Sequence, residues 1–215
     1  MTFTEHAWDA IGGIRKVIDN HPFLTGLADG SLPEEKFRYY MAQDALYLKG
    51  YAKSLAVCGS QADDSGDAFF WITSAAGAIS VERELHGQFV DDLDAAEKSP
   101  ACTAYTSYLA ALGTTGSYPC LAAGLLPCFW IYQDVGSRLV DTAGDLDAHP
   151  YGRWIETYTD PAFTESTRQA REIVDRVAAT ATGTEQARML EVFLTCSRYE
   201  AMFWEAAWSM QTWPV

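Results

Sequence analysis

The chain has 215 residues, 48% of them hydrophobic, with 15 Lys plus Arg against 29 Asp plus Glu and a formal net charge of -14. That length suits one domain over residues 1–215, able to fold without staples, and an acidic surface repels phosphate backbones and anionic lipid, so neither nucleic acid nor membrane is an expected partner. Five cysteines, Cys58, Cys102, Cys120, Cys128 and Cys196, form no CxxC or CxxH pair, which argues against zinc and for a reducing, cytoplasmic compartment.

The N-terminus shows neither a basic nor an apolar leader region, so no signal peptide is expected. Helical spacing of apolar residues predicts a first helix from about Phe3 to Ile18, with Thr2 or Thr4 as its cap. A loop is expected over His21-Pro22-Phe23 and on to Pro33. Ser31 followed by Glu34 reads there as a capping box, with Pro33 in the first turn. A long second helix should run from Pro33 to about Gly59, and a third from Asp63 or Asp64 to about Leu93. The fourth covers about Ala101 to Leu112. The fifth opens at Ser117 and reaches about Asp141, with Pro127 inside it, where a kink is the usual result. A short helix ends near Tyr158, and two more cover about Asp160–Thr180 and Thr184–Met210. The apolar run from Cys120 to Tyr132 is too short to cross a bilayer, which needs about 20 apolar residues. With no strand pattern, linker or repeat, the expectation is an all-α multi-helix bundle.

Three helices pair a reactive or ionisable residue with an aromatic one turn away. These are Asp44 with Tyr47, Cys128 with Tyr132, and Glu200 with Phe203. Such i,i+3 and i,i+4 spacings put both members on one helix face. The flanks are strongly apolar, as in Leu125-Leu126-Pro127-Cys128-Phe129-Trp130-Ile131-Tyr132, so the polar members are expected to face the bundle interior. A buried carboxyl there has its pKa raised, as a general acid near neutral pH requires. Taken singly, each residue is also explained blandly: Cys128 as an inert core thiol, Asp44 as a hydrogen-bonded core polar group, and Glu200 as part of a charged stripe with Arg198 and Glu205. A metal site is the main competing idea for a helical bundle. A di-iron centre needs two Glu-x-x-His pairs; here Glu82 and His86, spaced i,i+4, could serve together as ligands, but no second pair exists, and an ordinary helix ion pair is the preferred reading. His21 or His86 could formally serve a haem, with no other support, so no metal or cofactor is expected.

In register along the chain, His21-Pro22-Phe23-Leu24, Gly30-Ser31-Leu32-Pro33, Phe37-Arg38-Tyr39-Tyr40 and Gln43-Asp44-Ala45-Leu46-Tyr47-Leu48 resemble the opening of TenA (thiaminase II) proteins. Tyr105-Thr106-Ser107, the Pro127-Cys128 helix with Val135-Gly136, His149-Pro150-Tyr151 with Thr157-Tyr158, and Tyr199-Glu200 with Phe203-Trp204 match that family's later segments. Residues 61 to 98 match only loosely. The resemblance implies a haem-oxygenase-like bundle without haem, usually a homotetramer. It implies hydrolysis of 4-amino-5-aminomethyl-2-methylpyrimidine to the hydroxymethyl compound, and of thiamin. By motif position Cys128 is the nucleophile and Glu200 the acid/base group. Asp44 binds the pyrimidine's amino and ring nitrogens, and Tyr47, Tyr105, Tyr132, Tyr158 and Phe203 line or stack the ring. A branch of the family lacks the cysteine and uses glutamates; this chain keeps it. The alternatives left open are a helical metal-dependent oxidase, a non-catalytic pyrimidine-binding or regulatory protein, and an enzyme for another ring-amine substrate.

Overall fold

The computed structural model describes residues 1–89 and 96–214, with side chains over the same residues except 82–89. Ten helices follow one another among the described residues: α1 (Phe3–Ala10), α2 (Gly12–Asp19), α3 (Pro22–Asp29), α4 (Glu34–Gln61), α5 (Ser65–Phe89), α6 (Pro100–Thr115), α7 (Tyr118–Ala143), α8 (Gly152–Thr159), α9 (Pro161–Thr180) and α10 (Gly183–Ser209). They contain no strand, and none of them is long and apolar enough to cross a membrane.

Local chemistry sets most of the boundaries. Thr2 caps α1 in a full capping box with Glu5. Ser99, Ser117, Asp160 and Thr182 cap α6, α7, α9 and α10 through their side chains, and prolines fill the first turns of α3, α6, α7 and α9.

Three expectations are corrected. The first predicted helix is two, broken at Ile11 ahead of Gly12-Gly13, where glycine weakens helix continuity. The expected loop after His21 holds α3. The His21 Nδ1 atom accepts from the Phe23 N–H at 3.2 Å, so a histidine ring rather than Ser, Thr or Asp supplies the cap. Ser31 caps nothing: its N–H donates to the Asp29 carboxylate at 2.9 Å, and α4 starts after Pro33 without a side-chain cap. The Glu82 and His86 side chains and the predicted end of the third helix at Leu93 lie outside the described residues.

Helices α4, α7 and α10 form the centre. Tyr40 of α4 stacks on Trp204 of α10 at 5.2 Å and meets Trp154 of α8 edge-on at 5.8 Å. α7 runs through Pro127 as one helix, and from Cys120 to Pro127 it is buried all round, a helix enclosed by the bundle rather than riding on it. Buried Asp67 in the first turn of α5 accepts from the Tyr118 hydroxyl at 3.2 Å and pairs with Arg176 of α9, while Trp71 donates to Tyr118 at 3.1 Å. That network ties α5, α7 and α9 together beside a cavity that these helices help to line.

Candidate active site

A cavity of about 750 Å³ opens between α4, α5, α7, α8 and α9. Asp44, Tyr51, Cys128, Phe129, Tyr132 and Tyr158 lie on its wall. The helices explain how residues so distant in sequence meet there. On α4, residues 44, 47 and 51 are spaced i, i+3 and i+7 and share one face; on α7, residues 128 and 132 are one turn apart. Of the five cysteines, Cys128 alone is not fully buried. Cys58, Cys102, Cys120 and Cys196 are core thiols away from the cavity wall.

Glu200, Tyr47, Tyr105 and Phe203 are buried behind that wall. The Tyr105 hydroxyl donates to Glu200 Oε1 at 2.7 Å. Tyr47 packs against Tyr105 at 4.9 Å, Tyr51 at 5.3 Å and Phe203 at 5.6 Å between ring centres. On the other flank Tyr132 meets Tyr158 at 5.0 Å, and the Tyr40 hydroxyl donates to that of Tyr132 at 3.3 Å. All eight residues singled out in the sequence therefore fall in one aromatic region, four on the cavity wall and four directly behind it.

Electrostatics follow from burial. Glu200 is 2% exposed, and loss of water pushes its carboxyl up to about 8; the Tyr105 hydrogen bond opposes the rise and the nearby Asp44 charge adds to it. Burial likewise raises the Cys128 thiol well above its ordinary value, the Glu200 and Asp44 charges push the same way, and the Tyr47 and Tyr51 hydroxyls pull it back. The thiol, Glu200 and Asp44 are thus close enough to feel one another. At rest the sulfur is a neutral thiol, which needs a base before it can attack.

Two contributors escaped the sequence reading. Tyr51 reaches the thiol and donates to the Leu125 carbonyl at 2.8 Å; its place one heptad after Asp44 was the available signal. Tyr40, one turn before Asp44, was the other. The outer wall, built by Phe70 and Ser74 of α5 and by Phe163 and Gln169 of α9, carried no signal, since single apolar and polar residues on a helix face do not announce a cavity.

A family model described as TENA/THI-4/PQQC family matches residues 8–210. An aminopyrimidine aminohydrolase of Halalkalibacterium halodurans is 32% identical over 220 residues, covering 99% of this chain and 98% of the relative. One from Bacillus subtilis is 32% identical over 201 residues, covering 90% and 84%. The thiamine biosynthesis multifunctional protein ThiED of Corynebacterium glutamicum is 34% identical over 212 residues; the match takes in 97% of this chain and 28% of that longer protein. Among solved structures, a TenA homologue from P. horikoshii OT3 superposes with a TM-score of 0.86 at 29% identity, covering 97% of this chain and 99% of the other. A domain with a heme oxygenase-like fold from Shewanella denitrificans OS217 gives a TM-score of 0.77 at 16% identity over 98% and 93%, a likeness of fold alone.

Proposed function

The chain belongs to the TENA/THI-4/PQQC family, and from that premise we propose that it is an aminopyrimidine aminohydrolase of thiamin salvage, replacing the exocyclic amine of 4-amino-5-aminomethyl-2-methylpyrimidine by a hydroxyl from water. The observation that carries this reading is the one thiol of the chain that is not fully buried, Cys128, set on an aromatic cavity wall beside Asp44 with the buried acid Glu200 behind it.

The residues suit the chemistry. Tyr132 and Tyr158 offer ring faces to a flat, electron-poor pyrimidine. Asp44 accepts hydrogen bonds from its amino group. The Cys128 sulfur adds to the ring as its proton passes to Glu200 in its carboxylate form, and the adduct lets the exocyclic carbon–nitrogen bond break. The departing nitrogen takes a proton from Glu200 and leaves as ammonia. Water then adds to the exocyclic carbon, its proton passes to Glu200, and the carbon–sulfur bond breaks to free the hydroxymethyl product as that proton goes back to the sulfur and restores the thiol. One hard displacement becomes two easier steps.

The acid/base and ring-binding roles of these residues, the cytoplasmic location, the single-domain organisation and a homotetrameric state are parts of the same proposal. Phe69, 73% exposed, Ile72, 52% exposed, and Ile79, 43% exposed, leave an apolar stripe on α5 that favours self-association. The test is incubation with the aminomethylpyrimidine while released ammonia is measured, beside a Cys128→Ser control that retains ring binding. Turnover in the wild type and none in the control is expected. A control that turns over normally removes the covalent step, and a wild type that releases no ammonia removes the activity.

A further inference from the structure

The tripeptide histidine-proline-aromatic occurs twice in the chain, as His21-Pro22-Phe23 and His149-Pro150-Tyr151. Proline has no N–H, so the first backbone donor after each histidine belongs to the aromatic residue two positions on. Each imidazole turns back to accept it: His21 Nδ1 from Phe23 at 3.2 Å, and His149 Nδ1 from Tyr151 at 3.1 Å. A backbone N–H only donates, so both Nδ1 atoms are bare and each ring carries its proton on Nε2. From there His21 donates to Glu205 of α10 at 3.2 Å, and His149 to the Ala28 carbonyl in the last turn of α3 at 3.3 Å. The two rings hold α3 at its two ends, and both bond in this way only while neutral.

Both also lead to the candidate site. Phe23 packs on Tyr40 at 5.4 Å and on Trp204 at 5.6 Å between ring centres. Tyr151 opens α8, which carries Trp154 and the wall residue Tyr158, 4.6 Å apart. A proton on Nδ1 would turn each acceptor into a donor facing a donor, beside a buried Phe23 or a buried Tyr151. Neighbouring charge offsets that loss only weakly. Glu205 beside His21 is 65% exposed, and the N-terminus of α3 disfavours a cation there. Asp29, which faces His149, and Asp145 and Asp147 in the loop before it are exposed as well. A buried donor left without an acceptor costs more than such an exposed ion pair returns.

We propose that His21 and His149 are twin positioning residues, which hold α3 and α8 against the aromatic wall of the site as neutral rings and release them when acid places a proton on Nδ1. The positioning role rests on the site proposed above; the pairing of the rings with the backbone does not.

Asparagine is the variant that tests this. Its side-chain oxygen takes the place of Nδ1 and accepts at any pH, whereas alanine accepts at none. Each histidine is replaced by each residue, and urea midpoints are measured from pH 8 to pH 5, the range in which histidine ordinarily changes charge. Differences from wild type are read, so that other titrations, that of Glu200 included, cancel. The alanine variants should lie below wild type at pH 8 and converge with it by pH 5. The asparagine variants lose the Nε2 bond, a fixed offset, but should gain on wild type as the pH falls. At pH 8, KM for the aminopyrimidine should rise about twofold to tenfold in the alanine variants, the worth of one neutral hydrogen bond, with kcat changing less and asparagine restoring it. Near-UV circular dichroism reads the packing of the aromatic wall without substrate and should follow the same pH pattern. An alanine gap that stays constant or widens toward acid refutes the neutral caps, and so does asparagine behaving like alanine. Unfolding as expected with KM and the near-UV signal unmoved in every variant overturns the positioning role. A wild type that releases no ammonia while the unfolding and near-UV patterns hold overturns the proposed substrate and leaves the twin caps standing.

Discussion

Glu200 gives the sharpest quantitative test. Its carboxyl ordinarily titrates near 4.5 and is pushed up to about 8 in the folded protein, first by burial. The folded pKa is raised, so below pH 4.5 the group is protonated in both states and costs nothing. Between pH 4.5 and 8 the unfolded chain releases the proton and the folded chain keeps it. Stability therefore falls as pH rises across that interval, by about 1.4 kcal/mol per pH unit. The whole interval amounts to about 5 kcal/mol, an order-of-magnitude figure comparable to the total stability of many domains. Glu200→Gln removes the titration and keeps a carbonyl oxygen to accept from Tyr105. Urea unfolding of both proteins from pH 5 to pH 8 is the assay. Contributions from all other groups cancel in the difference between the two curves. That difference should swing by about 4 kcal/mol in favour of the glutamine variant. Two curves that stay parallel would show that Glu200 titrates normally, and both the buried acid and its assigned role would go with it.

Gly136 on α7 sits where an added Cβ would come within 2.7 Å of the Tyr158 Cβ and 3.2 Å of its backbone. Gly136→Ala should cost about 1–3 kcal/mol in urea unfolding and raise KM more than it lowers kcat, because α8 and Tyr158 must move off the cavity. Asp67→Ala removes the buried acceptor that Tyr118 and Arg176 share. A loss of about 2 kcal/mol or more in the same measurement is expected, with none if Arg176 and Tyr118 are fully resatisfied by water.

How much of this was legible depended on which residues carried periodic information. The apolar spacing on α4, α7 and α10 marked three helices correctly, and the i,i+3 or i,i+4 aromatic partners of Asp44, Cys128 and Glu200 marked the faces that converge. Convergence itself is a tertiary fact. No spacing within α6 shows that Tyr105 reaches Glu200, which is 95 residues later in the chain. The local errors have local causes. α3 was missed because its cap is a histidine, and the first helix was joined across Ile11 because the apolar rhythm continues through Gly12-Gly13 although the backbone does not. Tyr51 was missed although its spacing was visible. A tyrosine on an amphipathic helix face is ordinarily core, and only the sulfur opposite distinguishes this one.

Asp44 ties binding to activation. Its negative charge pushes up both Glu200 and Cys128, so in the empty site it opposes ionisation of the pair that has to share one proton. A pyrimidine whose amino hydrogens rest on that carboxylate screens the charge and lowers the opposition when substrate is present. Asp44→Asn makes the argument testable in the absence of any ligand. The variant loses the anchoring carboxylate, so KM for the aminopyrimidine should rise by about tenfold or more, the value of a hydrogen bond to a charged group. Its free thiol should nevertheless become more reactive. With the Asp44 charge gone, the thiol itself ionises at lower pH and Glu200 is a carboxylate, able to take a proton, over more of the pH range, so the pH profile of Cys128 alkylation should shift toward acid. A protein that is a worse catalyst with a faster thiol is not what simple damage to the site produces, since disorder would slow both or expose all five cysteines alike. An alkylation profile that stays put in Asp44→Asn would mean that the two acids do not communicate, and ring binding would then have no electrostatic route to the nucleophile.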